Sequence, residues 1–287
     1  MKRLYAGLAG FSAFFAAASA LAQPVEWQTR LQPAATAIMR QITWFEVYTL
    51  WFIIPITLLV LALLIVVLVK FRASKNPVAS RTSHNTLIEV IWTVGPVVIL
   101  LFLAIPSFQL LTAQYTPGEE PKLTVKATGN QWNWDYEYQT EAPLSFNSAM
   151  LKEDARDAAG KADKAQYPRL LAVDNEMVVP VNTTVRILVT ATDVIHAFAL
   201  PAFGVKVDAV PGRINETWFK AEKEGIFYGQ CSEVCGMDHA FMPIAIRVVA
   251  EDKYNAWMAQ AKTDLSGANK ALIASIDRAP AVAVAGR

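Results

Sequence analysis

The hydrophobic residues of this chain follow three rhythms, and each predicts a different kind of element. From Val47 to Val69 there is no charged residue. A helix of that length rises about 35 Å at ~1.5 Å per residue, enough to cross a hydrocarbon core of ~30 Å with some tilt. Val90 to about Leu111 is a second such run, and Pro96 and Pro106 within it are tolerated in membrane helices, where neighbouring groups satisfy the freed backbone. Residues 47–115 are therefore predicted to form a transmembrane hairpin. Between the runs lie Lys70, Arg72, Lys75 and Arg81, with no acid until Glu89. Basic loops stay on the cytoplasmic side, so the segment 23–46 and everything past residue 115 are expected on the periplasmic side or its equivalent. A shorter apolar, alanine-rich stretch follows Lys2 and Arg3 and ends in Ala20-Leu21-Ala22, the small-x-small form of a signal peptide; 1–22 is expected to be one, cleaved before Gln23, the alternative of a first membrane anchor being disfavoured by the short run and its small-residue end.

From Pro117-Gly118 onward the rhythm changes to short β-rich runs separated by Pro, Gly and Asn turns. Strands are expected over 123–127, 131–138, 170–179, 184–190, 215–219, 226–230 and 243–249. Many short strands at this spacing predict an all-β sandwich or barrel. Along 131–138, Trp132, Trp134, Tyr136 and Tyr138 alternate with Asn133, Asp135 and Glu137. A strand there puts the rings on one face, toward a core, and the polar groups on the other. The stretch 150–166 is rich in Lys, Asp, Glu and Ala and reads as a solvated helix or loop inserted at the surface. A closing helix is expected over 252–262, within a C-terminal region 251–287 whose Ala/Val-rich tail beyond Arg278 is expected to be flexible or removed.

Composition agrees with a chain that meets lipid: 54% of its 287 residues are hydrophobic. A net charge of +1 leaves no nucleic-acid footprint. The chemistry is concentrated in Cys231-Ser232-Glu233-Val234-Cys235-Gly236-Met237-Asp238-His239-Ala240-Phe241-Met242, which holds both cysteines of the chain. These thiols, an imidazole and a thioether are soft and borderline donors that select copper or zinc over oxygen-loving cations. A second imidazole is expected from His196, because His84 lies beside a membrane segment and the chain has three histidines. Three readings compete for these donors. Structural zinc would use Cys2His2 but has no use for a methionine. A disulfide suits an exported chain, yet it would enclose a tiny loop and leave the His and Met spacing unexplained. Copper accounts for all five side chains, and the second thiol argues for a binuclear centre, since two thiolates can bridge two ions. No Cys-x-x-Cys-His occurs, so a c-type haem domain is excluded.

His196 followed by the Cys231–Met242 spacing closely resembles the cytochrome c oxidase subunit II family. The resemblance extends to Gln131-Trp132-Asn133-Trp134-Asp135-Tyr136-Glu137-Tyr138, to Val207-Asp208-Ala209-Val210-Pro211-Gly212-Arg213 and to both membrane runs, covering most of residues 40 to 250. It implies a two-helix transmembrane hairpin followed by an all-β, cupredoxin-like Greek-key sandwich over 116–250. That domain would carry the binuclear copper centre called CuA. The resemblance also implies that Cys231 and Cys235 bridge the coppers, that His196 and His239 bind one each, that Met242 is a weak axial donor, and that the Glu233 carbonyl completes the set. The Glu233 carboxylate would hold Mg or Mn shared with subunit I, although an exposed turn glutamate is its plain reading. Asp208 and Arg213 would lie at the subunit I interface. Trp132 would be where electrons arrive from cytochrome c, which requires surface access that strict alternation denies it. Glu89 would stand at the entrance of a proton path, although an acid at a helix N-terminus is also favoured by the macrodipole alone. Glu137 and Asp174 are candidates for steering a basic cytochrome. The expected setting is a bacterial inner membrane, with subunit I and other oxidase subunits as partners. Asn130 and Asn133 depart from the family, which often has His and an aromatic there, so the packing around Trp132 is expected to differ from the family's. A quinol oxidase subunit would lack the thiols. Nitrous oxide reductase would be much longer. An exported binding or assembly module with a disulfide or zinc would bind no copper.

Overall fold

A computed structural model of the chain describes residues 20–22, 24–25, 27–78 and 80–277. The leader expected over 1–22, apart from its last three residues, and the tail from Arg278 lie outside the described residues. Two long helices come first, α1 (Ala37–Lys70) and α2 (Thr86–Tyr115). Both are long and apolar enough to cross a membrane. Their Leu, Val and Ile side chains point outward unburied, as they must where lipid replaces a protein core. α1 starts about ten residues before the charge-free run because it continues out of the apolar zone and docks on the β-domain. Thr36 caps it by accepting from the Met39 N–H (3.0 Å) and donates its hydroxyl proton to the Phe203 carbonyl (2.8 Å). Ile38 and Met39 are buried there, and Arg40 forms a bidentate pair with Glu222, the second bond at 3.0 Å.

The remainder is a sandwich of two sheets. One has the order β4 (Leu144–Ser148), β3 (Asn133–Tyr138), β2 (Leu123–Asn130), β6 (Thr184–Ala191) and β9 (Asn215–Lys220). The other has the order β5 (Met177–Pro180), β11 (Pro243–Val249), β10 (Gly225–Cys231), β7 (His196–Leu200) and β8 (Val205–Ala209). β1 (Ala20–Ala22) adds in parallel along Gly225–Phe227 of β10. Neighbours distant in sequence, such as β2 beside β6 and β5 beside β11, are parallel, so the chain crosses between sheets rather than meandering. Alternation decides the core. Trp134, Tyr136 and Tyr138 are fully buried while Asn133, Asp135 and Glu137 face outward. They meet Phe198, Leu200, Phe227, Ile244 and Ile246 of the facing sheet. The Tyr138 hydroxyl, which could not be left unpaired there, donates to the Val178 carbonyl (2.8 Å) and accepts from the Val178 N–H (2.9 Å).

Four described strands depart from the sequence expectation: β1, which falls on the last residues of the expected leader, and β4, β7 and β8, each only five residues long and each with outward polar or small residues diluting its pattern. The strand expected over 170–179 forms only at its end, because Leu170 adopts φ 71° and the chain turns through 170–172. The closing helix α3 (Glu251–Ala261) is followed by a second, α4 (Leu265–Asp277), which the sequence pattern does not separate from the tail.

The stretch 150–166 also departs from expectation. Of the two alternatives it is the loop, a lobe built of turns, but it is not simply solvated: with the residues that follow it shares a small core, Leu151, Tyr167, Ala172 and Val173 packing with Ile226, Tyr228 and Ala245. Its Lys161 is only 2% exposed. The ammonium lies 3.0 Å from Glu176 and donates to the Val173 and Asp174 carbonyls at 2.8 and 3.0 Å. Arg247 of β11 closes on the same carboxylate and donates to the Tyr167 hydroxyl (2.9 Å). The lobe covers the back of β11, whose seven residues are all buried. Both faces of that strand are therefore occupied, and its apolar run does not alternate.

Burial alone would raise the Glu176 carboxyl, but Arg247 and then Lys161 outweigh it and hold it at about 2. A carboxyl held below its ordinary 4.5 contributes stability that is complete above that value and lost as pH falls toward 2. Glu176→Gln leaves two buried cations unpaired, so it should cost about 3–5 kcal/mol of unfolding free energy. Denaturant unfolding of the full chain in detergent, followed by tryptophan fluorescence, should show that loss at pH 7 and a weaker acid dependence below pH 4.5 in the variant. Equal stability of the two chains would show the cluster to be energetically idle.

Candidate metal centre

The five soft donors meet at one end of the sandwich, where β10 runs out and β7 begins. His196 is the first residue of β7 and is fully buried. Gly129 on β2 faces it without a side chain, and a Cβ there would stand 3.0 Å from the imidazole. Trp134 meets the same ring edge-on, with centroids 6.1 Å apart. Cys231 ends β10. The loop then returns through a single 3-10 turn, His239–Phe241, to β11. It is pinned at its base by Cys231 N–H to the Met242 carbonyl (3.3 Å) and Ser232 N–H to the Ala197 carbonyl (3.0 Å). Gly236 turns the loop at φ +127°, and a Cβ there would come within 2.9 Å of the Gln131 amide nitrogen and 3.0 Å of the Trp132 ring.

The donors converge tightly. Cys231 Sγ lies 3.9 Å from Cys235 Sγ, 3.8 Å from His196 Nδ1 and 3.4 Å from the Glu233 carbonyl oxygen. Cys235 Sγ lies 3.5 Å from His239 Nδ1 and 3.5 Å from Met242 Sδ. The cysteines are free and buried, and their separation is nearly twice the ~2.05 Å of a disulfide. Two sulfur–metal bonds of about 2.3 Å span that gap readily. The residues present therefore fit a thiophilic ion, with two buried thiols placed to share it. The thioether is a donor that suits copper rather than zinc. Burial first, and the neighbouring Cys231 second, push the Cys235 thiol up to about 12. Without an ion this thiol stays protonated at neutral pH.

His196 is oriented from behind. Its Nε2 is 2.9 Å from Asp193 Oδ1, so the ring donates that proton to the carboxylate and turns the Nδ1 lone pair toward Cys231. Asp193 also accepts from the Val194 and Gln131 N–H groups, both at 2.7 Å. Burial alone would raise its carboxyl, but these donors, His196 foremost, hold it below the ordinary range. The Gln131 side chain donates to the Cys235 carbonyl (2.7 Å). Neither Asp193 nor Gln131 carries a role that the sequence alone assigns. The available signal is a carboxylate three residues ahead of a histidine donor.

The other expected residues are distributed more widely. Trp132 is half-buried at the turn before β3 and packs beside Gly236, so it is neither on the aromatic face of the strand nor sealed in the core. Asn130 and Asn133 join Asn147 around Asp135. Asn130 Nδ2 donates to Asp135 (2.8 Å) and to Asn133 Oδ1 (3.1 Å), and Asn147 Nδ2 donates to Asp135 (2.8 Å). The Glu233 side chain is exposed at the loop tip. Asp208 lies on β8, the neighbour of β7, and Arg213 is exposed just beyond it. Glu137 stands five residues along from Trp132, roughly 16 Å at ~3.3 Å per residue, beside Lys126 (3.9 Å) and Gln139 (2.6 Å). Asp174 spends its carboxylate on the Ala149 and Asn175 N–H groups (2.8 and 2.7 Å). Glu89 is remote, in the first turn of α2, where its carboxylate accepts from the Asn85 N–H (3.2 Å) while Asn85 caps Ile88 (3.2 Å).

Comparison with known proteins gives a consistent relationship. Residues 123–249 match the family model described as cytochrome c oxidase subunit II, periplasmic domain, and residues 24–110 match that of its transmembrane domain. A probable cytochrome c oxidase subunit 2 of Rickettsia bellii is 45% identical over 271 residues, 94% of this chain and 96% of the relative. The cytochrome c oxidase subunit 2 of Cereibacter sphaeroides is 43% identical over 273 residues, 89% of each chain. Among solved structures, the crystal structure of the periplasmic domain of subunit II of cytochrome oxidase of Bradyrhizobium japonicum is 56% identical. It covers 51% of this chain and 98% of its own length, with a TM-score of 0.45.

Because an ion must displace the Cys235 proton, uptake at this centre should release acid and strengthen as pH rises. Titrating the unbuffered full chain at pH 7 with a copper salt should acidify the solution, and Cys235→Ser should abolish both uptake and acidification. Uptake without proton release would mean that the thiols are not the donors.

Proposed function

Since the chain belongs to the cytochrome c oxidase subunit II family and is a membrane-embedded part of an oxidoreductase complex, we propose that it is that complex's electron-input subunit. It accepts electrons from cytochrome c at a binuclear copper centre and passes them to haem in subunit I, where oxygen is reduced and protons are pumped. The observation that carries this reading is the convergence of two buried free thiols, two imidazole Nδ1 atoms and a thioether within one loop and one adjoining strand.

Cys231 and Cys235 would bridge the copper ions, with His196, His239, Met242 and the Glu233 carbonyl completing the donors. Copper held there would supply a one-electron relay, and the surrounding residues keep the donors in place. The two ladder-like bonds at the loop base fix Cys231 and Met242 relative to β7, and the apolar walls of the sandwich exclude water from one side. Trp132, half-buried and packed on Gly236 of the metal loop, is the residue through which electrons arrive, since it reaches both solvent and the loop. The turn that carries it is braced by Asn130, Asn133 and Asn147 around Asp135 in place of an aromatic.

The exposed Glu233 carboxylate, a hard donor unsuited to thiolate-bound copper, would take Mg or Mn jointly with subunit I. Asp208 and Arg213 would face that subunit from β8. Glu89, at the N-terminus of α2, would open a proton path into it. Glu137 and Asp174 would contribute to an acidic approach for a basic cytochrome, with Asp135 and Asp193 standing nearer to Trp132. The basic loop between the helices puts that end in the cytoplasm. The β-domain then lies in the periplasm, and a leader removed after Ala22 would take β1 with it, leaving the Gly225–Phe227 edge of β10 without that strand.

In the assembled oxidase, Trp132→Ala should lower turnover with reduced cytochrome c on the order of 10²-fold, as displaced donor groups do, with copper content unchanged. Raising ionic strength should slow the second-order reaction of the unaltered enzyme on the order of tenfold. Full turnover in Trp132→Ala would place the electron input elsewhere.

A further inference from the structure

The two imidazoles of the centre offer the same atom, Nδ1, to the thiols, but they are held differently. His239 sits in a 3-10 turn and is half-exposed, and among the described residues its outer nitrogen has no hydrogen-bond partner. His196 is fully buried against Gly129 and Trp134. Its outer nitrogen is committed to Asp193 at 2.9 Å. The same carboxylate reaches back to the turn that carries Trp132, taking the Gln131 N–H on its other oxygen (2.7 Å). Gln131 in turn holds the Cys235 carbonyl through its side chain (2.7 Å). A closed circuit results: His196, Asp193, Gln131, Cys235, and the Cys235–Cys231 sulfur pair back to His196. Trp132 is attached to that circuit by a peptide bond.

We propose that Asp193 is a positioning residue for the metal centre. It fixes the tautomer and tilt of His196 and locks the Gln131–Trp132 turn to both ends of the donor set. This rests on the reading that the centre holds copper. The chemistry follows from what a carboxylate does behind a metal-bound imidazole. Accepting the Nε2 proton makes Nδ1 a stronger donor and keeps the ring from rotating. Such a partner favours the more highly charged, oxidised form of the metal. Removing its charge should therefore raise the reduction potential. An asparagine oxygen in the Oδ1 position can still accept from His196 and Val194, but its amide hydrogens would then face the Gln131 N–H, so the turn that carries Trp132 would lose that anchor.

The test uses the full-length chain in detergent, loaded with copper salt, as wild type and as Asp193→Asn and Asp193→Glu. Proton magnetic resonance of the wild type, shifted by the paramagnetic centre, should show the His196 Nε2 proton exchanging with D2O far more slowly than that of His239. That measurement needs no variant, so it stands even where a substitution prevents folding. Asp193→Asn should keep copper yet release it to a chelator about 10- to 100-fold more readily. It should also show a higher reduction potential and a broadened Trp132 fluorescence environment, with Asp193→Glu partly restoring each. If the two histidine protons exchange alike, or if Asp193→Asn leaves the potential and copper release unchanged, Asp193 is a surface acid and the inference falls. A wild-type chain that takes up no copper overturns the functional reading and with it this inference, whereas the preceding outcomes, seen in a chain that does take up copper, overturn this inference alone.

Discussion

Everything at the functional end of this molecule depends on holding two thiols close without letting them bond. Their sulfurs stand 3.9 Å apart, and each has an imidazole nitrogen within 3.8 Å. The cysteines stand four positions apart, so a slack loop would allow them to close into a disulfide. The fold sets their separation by making Cys231 the last residue of a central strand, whose partner strands fix its direction, and by seating Cys235 under the Gln131 side chain. Burial adds a second safeguard, since the Cys235 thiol is pushed up to about 12 and is a poor nucleophile until an ion takes its proton. Donor geometry and thiol protection are thus two results of one packing arrangement.

The sandwich in turn is anchored to the membrane hairpin by the start of α1. Gly204 is in the left-handed region at φ +71°, and a Cβ on it would meet the Ile42 side chain at 2.6 Å. The Ala35 N–H donates to the Ala202 carbonyl (2.9 Å) and the Glu222 N–H donates to the Ala35 carbonyl (2.9 Å). Pro201–Phe203 lies directly after β7, the strand that begins with His196. The same short stretch therefore carries a candidate metal donor at one end and the docking of α1 at the other, which fixes where the donors stand relative to that helix. On the far side of the sheet, the Glu176 cluster fastens the 150–166 lobe to β11. The strand that follows Met242 is thereby held on both faces.

Much of this is legible in the sequence because it rests on local rules. A charge-free run longer than a bilayer's core belongs in lipid, and the alternation from Trp132 to Tyr138 correctly puts Trp134, Tyr136 and Tyr138 inside. The donor set is legible because soft side chains at loop spacing are rare. What escapes depends on distant partners. Lys161 reads as a solvated lysine until Glu176, fifteen residues on, and Arg247, from another strand, are brought to it. Asp193 reads as a turn residue until β2 delivers the Gln131 N–H. Trp132 is caught between two rules, alternation and resemblance. The turn ahead of β3 resolves them, because alternation applies only from Asn133 onward. β7 and β8 are hidden for a related reason: they are short, and their strand character comes from pairing with each other.

The central claim is that the loop between β10 and β11 holds a pair of copper ions sharing an electron. The most direct measurement is an electron paramagnetic resonance spectrum of the copper-loaded full-length chain, with copper counted per polypeptide. Two coppers per chain are predicted, as the paired thiols of Cys231 and Cys235 imply, together with a hyperfine pattern of more lines than one copper nucleus can give. A single copper with the four-line pattern of one nucleus, or a chain that binds none, would contradict it.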